Sequence, residues 1–176
     1  MMDNEKLYVI GDLPGFAPQI GRLVSMMNYV RHTTLQTVKN LSVDQLDYVH
    51  DEDSNSIGAL LRHYAAVEKF YQVFTFEGRQ LNEEEYREWG AALELGEQGR
   101  KELRGWTLER HMESMLQVRE ATLAEFRKRD DEWLMREQPF WGGKPANFHF
   151  MWFHVFEDEI NHRGQMRWLV KRLPKL

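Results

Sequence analysis

The stretch that decides the reading is His154–Gln165, HVFEDEINHRGQ. It sits between Met151-Trp152-Phe153 and Met166-Arg167-Trp168-Leu169-Val170, flanks that read as a buried helix. Val155, Met166, Leu169 and Leu173 fall on one line at helical spacing. Extended inward, that line requires an apolar residue at 158 or 159 and another at 162. The chain has Asp158, Glu159 and His162 instead. Residues four apart on a helix share a face, so Asp158 and His162 point at one spot. His154 lies one further turn back.

Working outward, this helix runs from about Asn147 to Arg172 and stops before Pro174, with Lys171 and Arg172 at its negative end. Three more long helices precede it. The first starts at Pro18, a residue suited to a first turn, and carries Ile20, Leu23, Val24, Met27, Val30, Thr34, Val38 and Leu41 at helical spacing. The second follows the capping cluster Asp51–Ser56. Its stripe is Leu60, Val67, Phe70 and Phe74, with Ile57, Leu61, Tyr64 and Tyr71 beside it and Gly78 as the stop. The third is capped by Thr107. Leu108, Met112, Met115, Leu116, Leu123 and Phe126 mark its expected buried side, and the helix is left at Asp130-Asp131. Residues 1–17 read as an irregular lead-in. Residues 79–106 read as a polar linker, with a short surface helix near Asn82–Leu95 and then a loop. Pro139–Pro145 reads as a loop turning at Gly142-Gly143. No strand and no repeat is predicted. Long linkers before the third and fourth helices permit crossover connections. The expectation is an all-α four-helix bundle forming a single domain over residues 1–176.

The second helix repeats the anomaly of the fourth. His63 occupies a place in the core spacing of Leu60, Val67, Phe70 and Phe74. Bundles build metal sites from inward side chains on facing helices. His63 with Asp158 and His162 would give three protein ligands and leave a position open, the layout of a catalytic centre. Two imidazoles and a carboxylate suit Zn, Ni, Fe(II) or Mn. The blander readings stand beside this one. His63 alone reads as a hydrogen-bonded core histidine, Asp158–His162 as a buried ion pair, and one of Glu157 and Glu159 as a solvated carboxylate. Glu68 reads as a general base flanking the site or as a surface carboxylate. Gln165 orients a water or ligand, or bonds near the helix end. Arg31 and His32 read as substrate-binding or, more simply, as solvent-exposed. The aromatics Phe140, Trp141, Phe148, Phe150, Trp152 and Phe153 wall a cleft, fill the core or meet a second copy.

Composition narrows the function classes. The chain has 176 residues, 42% hydrophobic, enough for one sizeable core. Its net charge of −5 provides no electrostatic footprint for nucleic acid or an anionic membrane. No run is long enough to span a bilayer. The acidic start Met1-Met2-Asp3-Asn4-Glu5 lacks a signal-peptide layout, so the cytoplasm is the expected compartment. With no cysteine, a metal site must use histidine and carboxylate.

Two motifs carry a family resemblance: Ser56–Glu68, SIGALLRHYAAVE, and His154–Gln165, above all His162-Arg163-Gly164-Gln165. Together they resemble the DinB-like superfamily of bacterial metal-binding four-helix bundles, over roughly residues 18–173. The resemblance implies a divalent metal held by three histidines, one from the second helix and two spaced four apart on the fourth. These positions correspond to 63, 158 and 162, and the middle one is Asp158 here. His154 is a substitute ligand at a less convenient spacing. The resemblance also implies a homodimer and a metal-dependent thiol S-transferase or related isomerase using a low-molecular-weight thiol.

Two function readings follow. One is a divalent-metal-dependent small-molecule enzyme, transferase- or hydrolase-like, with Glu68 and Gln165 as candidate catalytic side chains. The alternative is a non-enzymatic, stress-related or small-molecule-binding homodimer whose site has lost its metal with the change to Asp158.

Overall fold

The structure, a computed structural model, describes residues 6–174. The signal-peptide reading of residues 1–5 therefore lies outside the described residues. The chain is mostly helical. Four long helices dominate: α1 (Pro18–Val38), α3 (Ile57–Tyr71), α6 (Leu108–Phe126) and α8 (Phe148–Val170). Short helices α2 (Val43–Leu46), α4 (Glu83–Glu94), α5 (Gly96–Glu102) and α7 (Asp131–Leu134) occupy the connections.

The helix ends form for local reasons. Ser56, Thr107 and Asn147 cap α3, α6 and α8, each side chain accepting from the backbone amide three residues on. Pro18 opens α1, whose next two amides, Gln19 and Ile20, donate to Asp131 Oδ1 at 2.9 and 3.3 Å. The α3 rod continues through a π-helical turn, Gln72–Glu77, and ends at Gly78, which takes the left-handed conformation at φ 68°.

α1 packs on α8, and α3 packs on both α8 and α6. The core falls into two clusters. One holds Val38, Leu60, Leu61, Ala65, Met115, Val118, Met166 and Leu169. The other holds Ile20, Met27, Val67, Tyr71, Phe126, Met151, Trp152 and Val155. α1 and α8 run from the second cluster to the first, and α3 and α6 run the opposite way. Between the clusters all four helices place polar groups: Arg31 and Thr34, Glu68, Arg119 and Thr122, then Asp158 to Arg163. The interior between the helices is thus two apolar halves separated by a transverse polar layer.

Several expectations are corrected. The segment after Leu95 is not a loop, since Gly96–Glu102 is helical. A strand pair exists where none was predicted, Glu137–Pro139 against Pro145–Asn147, antiparallel across the Trp141–Gly143 turn. Each strand has only three residues, too few to show an alternating pattern. Of the linkers before α6 and α8, only the one between α3 and α6 runs back from one apolar cluster to the other, because α6 ends and α8 begins at the same cluster. On α6, Met115 and Phe126 are buried, but Met112 and Leu116 are 41% and 56% exposed. The stripe was read correctly as apolar, yet α1 and α6 stand apart and leave part of it uncovered.

Candidate metal centre

The polar layer splits into two halves, and three consecutive acids on α8 divide them. Successive helical residues point about 100° apart. Glu157 turns outward, accepting from Asn161 and pairing with His154 Nδ1 at 3.0 Å. Asp158 faces α3. Glu159, 1% exposed, faces α1 and pairs with Arg31 Nε at 3.1 Å. The reading that left one of Glu157 and Glu159 in water fits Glu157 alone.

Asp158 meets both histidines. Its Oδ2 lies 3.2 Å from His63 Nε2 and its Oδ1 lies 3.4 Å from His162 Nε2. The two imidazoles stand edge to face, 4.9 Å between ring centres. One ligand-type atom from each of the three residues lies within 4.8 Å of the others. A tetrahedral ion with bonds of about 2.0–2.1 Å has ligand-to-ligand edges of roughly 3.3 Å, close to both carboxylate–imidazole distances.

The outward nitrogens are already engaged. His63 Nδ1 is 2.7 Å from the Ala92 carbonyl oxygen. A carbonyl only accepts, so this nitrogen carries the proton, and Nε2 is the one left for the cluster. His162 Nδ1 lies 3.1 Å from Gln165 Oε1, with the same consequence. Ring N–H groups fixed by an oxygen on the far side are the usual support of metal-ligating imidazoles. Asp158 Oδ2 is buried and makes no hydrogen bond of good geometry with a described residue. A carboxylate flanked by two oriented Nε2 atoms, with one of its oxygens unpartnered, fits a small divalent cation.

The electrostatics agree. Burial pushes the Asp158 carboxyl up, but the adjoining His162 and His63, when protonated, bring it well below the usual carboxylate range. Burial lowers His162, and the Asp158 hydrogen bond and charge more than reverse that, raising it above the ordinary imidazole value. The site therefore presents an ionised carboxylate in a half-buried setting.

With this geometry in hand, the sequence was compared with known families. The family model described as mycothiol S-transferase matches residues 22–173. The chain belongs to the mycothiol S-transferase family. That family is part of the DinB-like superfamily, as the two motifs implied. No curated protein matches the chain. The mycothiol S-transferase match begins inside α1 and covers the other three long helices, and so includes both halves of the layer.

Other residues fall differently from expectation. His154 does not join the cluster. It pairs with Glu157 and packs edge-on to Trp141, 4.9 Å between ring centres. Glu68 is no surface carboxylate. It is fully buried, with Oε1 accepting from Arg119 Nε and Thr122 Oγ1, both at 2.7 Å. Its Oε2 accepts from Arg119 Nη2 at 3.1 Å and Arg31 Nη2 at 3.4 Å. Burial alone would raise its pKa, and the two arginines overturn that and hold it ionised. Arg31, expected in solvent, is 6% exposed. Its spacing from Met27 and Thr34 carried the signal, since those neighbours define the buried stripe. The Ala92 carbonyl had no signal at all, because a backbone acceptor in a polar linker leaves no mark on composition. The aromatics divide: Phe148 and Trp152 are core, while Trp141, Phe150 and Phe153 are exposed.

Proposed function

We propose that the chain is a divalent-metal-dependent thiol S-transferase built on a single-domain, DinB-like four-helix bundle. His63, Asp158 and His162 hold the ion, Zn or Ni in first place and Fe or Mn after them. A low-molecular-weight thiol of the mycothiol type is the nucleophilic cosubstrate, as the family's name indicates. The observation that carries this reading is the convergence of two Nε2 atoms on the Asp158 carboxylate, one at each oxygen, with each imidazole fixed from behind by Ala92 or Gln165.

Bound there, the ion would supply Lewis acidity that lowers the pKa of a thiol and favours its thiolate. The protein's own part is positional. Ala92 and Gln165 fix the ring orientations, and the ion pairs keep Asp158 anionic. Tyr71 is buried close to Asp158. Burial first, and then the Asp158 charge, raise its pKa and keep the phenol neutral on that flank. His162 and Asp158 are partly exposed, which gives a thiol access from the α8 side. We place the protein in the bacterial cytoplasm as a homodimer.

The test is elemental analysis of protein purified without a metal-affinity tag, alongside His162→Ala. About one ion per chain in the wild type and none in the variant is the expected result. Thiol consumption with an electrophilic aryl halide should then follow metal content. The ion pairs around Asp158 also favour a second reading, a metal-free polar cluster in a non-enzymatic bundle. Failure to take up Zn, Ni, Mn or Fe(II) would decide for it.

A further inference from the structure

A cavity of about 950 Å³ opens between α1 and α6. None of His63, Asp158 and His162 lines it. Its walls are apolar, with Phe16, Leu35, Met112 and Leu116 among them, and Arg31 and Arg119 also line it. The two arginines belong to the polar layer and are each 6% exposed. Arg31 commits Nε and Nη2 to Glu159 and Glu68, and Arg119 commits Nε and Nη2 to Glu68. That leaves Nη1 of each without a protein partner among the described residues. Neither Nη1 is among the unpartnered atoms sealed away from solvent, and both residues line the cavity. The guanidiniums meet at a single Glu68 oxygen, Oε2, which brings their free donors to one neighbourhood.

We propose that this cavity binds an amphipathic anion, a carboxylate carried on an apolar chain, with its head group on Arg31 and Arg119 and its body along Phe16, Leu35, Met112 and Leu116. The volume lies in the range of small-molecule pockets, which combine apolar walls with a few convergent polar groups. Glu68 and Glu159 hold both guanidiniums in place, so little side-chain freedom is lost when a carboxylate docks on the two remaining Nη1 groups. The charge balance favours an anion. Arg31, Arg119 and Arg127 line the cavity, and only the two buried glutamates Glu68 and Glu159 stand behind the first two. Glu109, Glu113 and Glu120 also line the cavity, but they are exposed at its mouth, where water and salt screen them. An occupant would also cover Met112 and Leu116, the apolar side chains that α6 leaves in water.

The experiment is calorimetric titration of the full chain with decanoate, octanoate, decanol and decylamine. Decanoate should bind one per chain. Octanoate, two methylenes shorter, should bind roughly fifteenfold more weakly. Decanol, without the charge-assisted hydrogen bonds, should bind at least about tenfold more weakly, and decylamine not at all. Leu116→Glu lies on the exposed wall, so it should fold normally by circular dichroism and lose decanoate by more than about tenfold. His162→Ala should bind decanoate like the wild type, which separates this site from the metal centre. Absence of decanoate binding would overturn the proposal. So would equal binding of decanol or decylamine, or indifference to Leu116→Glu. A dimer in sedimentation that Leu116→Glu dissolves, with no decanoate bound, would assign the groove to a second copy and also defeat it.

Discussion

Removing the Glu68 carboxylate should expose how much the polar layer stabilises. Glu68 is fully buried and accepts four hydrogen bonds, two from Arg119 and one each from Thr122 and Arg31. Arg31 has a second anion, Glu159, at 3.1 Å. Arg119 has no other ion pair among the described residues. Glu68→Gln therefore strands one guanidinium in the interior while the other stays paired. Breaking a buried pair from one side costs about 3–5 kcal/mol, against a total stability of roughly 5–15 kcal/mol for a protein domain. The same loss should lower the melting temperature by about 10 °C for a chain of this size. The assay is urea unfolding at pH 7, with the midpoint falling and the slope unchanged. A double variant, Glu68→Met with Arg119→Met, removes both charges and should recover most of the loss, because apolar replacement of a buried pair is often neutral. A Glu68→Gln loss below about 1 kcal/mol would refute the reasoning. It would mean that water in the cavity beside Arg119 is enough to solvate its guanidinium.

Three further outcomes are expected. Zinc at a hundredfold excess over its dissociation constant should stabilise the wild type by about 2.7 kcal/mol, and His63→Ala should abolish the thermal shift. Gln165→Leu, which frees His162 Nδ1, should weaken metal binding by about 10- to 100-fold, read by competition with a chromogenic chelator. The last concerns His111, which is 2% exposed with neither ring nitrogen paired. Burial, then the charges of Arg62 and Arg110, push its pKa down to about 4. The unfolded chain, near the ordinary imidazole value of 6.5, binds more protons between those values. Stability should therefore fall as pH drops from 6.5 toward 4. The loss from pH 7 to pH 5 is about 2 kcal/mol, measured as urea midpoints, and His111→Leu should flatten that slope.

Much of the fold was legible because it is local. The spacing of Ile20, Leu23, Met27 and Val30 gives α1, and Ser56 and Thr107 announce the starts of α3 and α6. Gly78 marks where the α3 rod ends, since a left-handed residue cannot continue it. The metal-type cluster was legible for a related reason. His63 and the Asp158–His162 pair interrupt apolar stripes, and a stripe has a known direction. The three-residue strands and the α5 helix escaped notice because so few residues carry no periodic signature.

The sequence by itself determined the helices, their caps and the three side chains that meet at the candidate centre, since each depends on neighbours within about one helical turn. Only the tertiary structure decided what those side chains meet. Asp158 and Glu159 are adjacent in the chain, yet one faces α3 and its imidazole, the other α1 and its arginine. His63 is fixed by an Ala92 carbonyl 29 residues away. Glu68 changed from a candidate base to the buried anchor of two arginines, and Met112 and Leu116 changed from core to cavity wall. In each case the outcome rests on how helices distant in sequence are packed against one another or held apart, and residue spacing within a single helix carries no information about that.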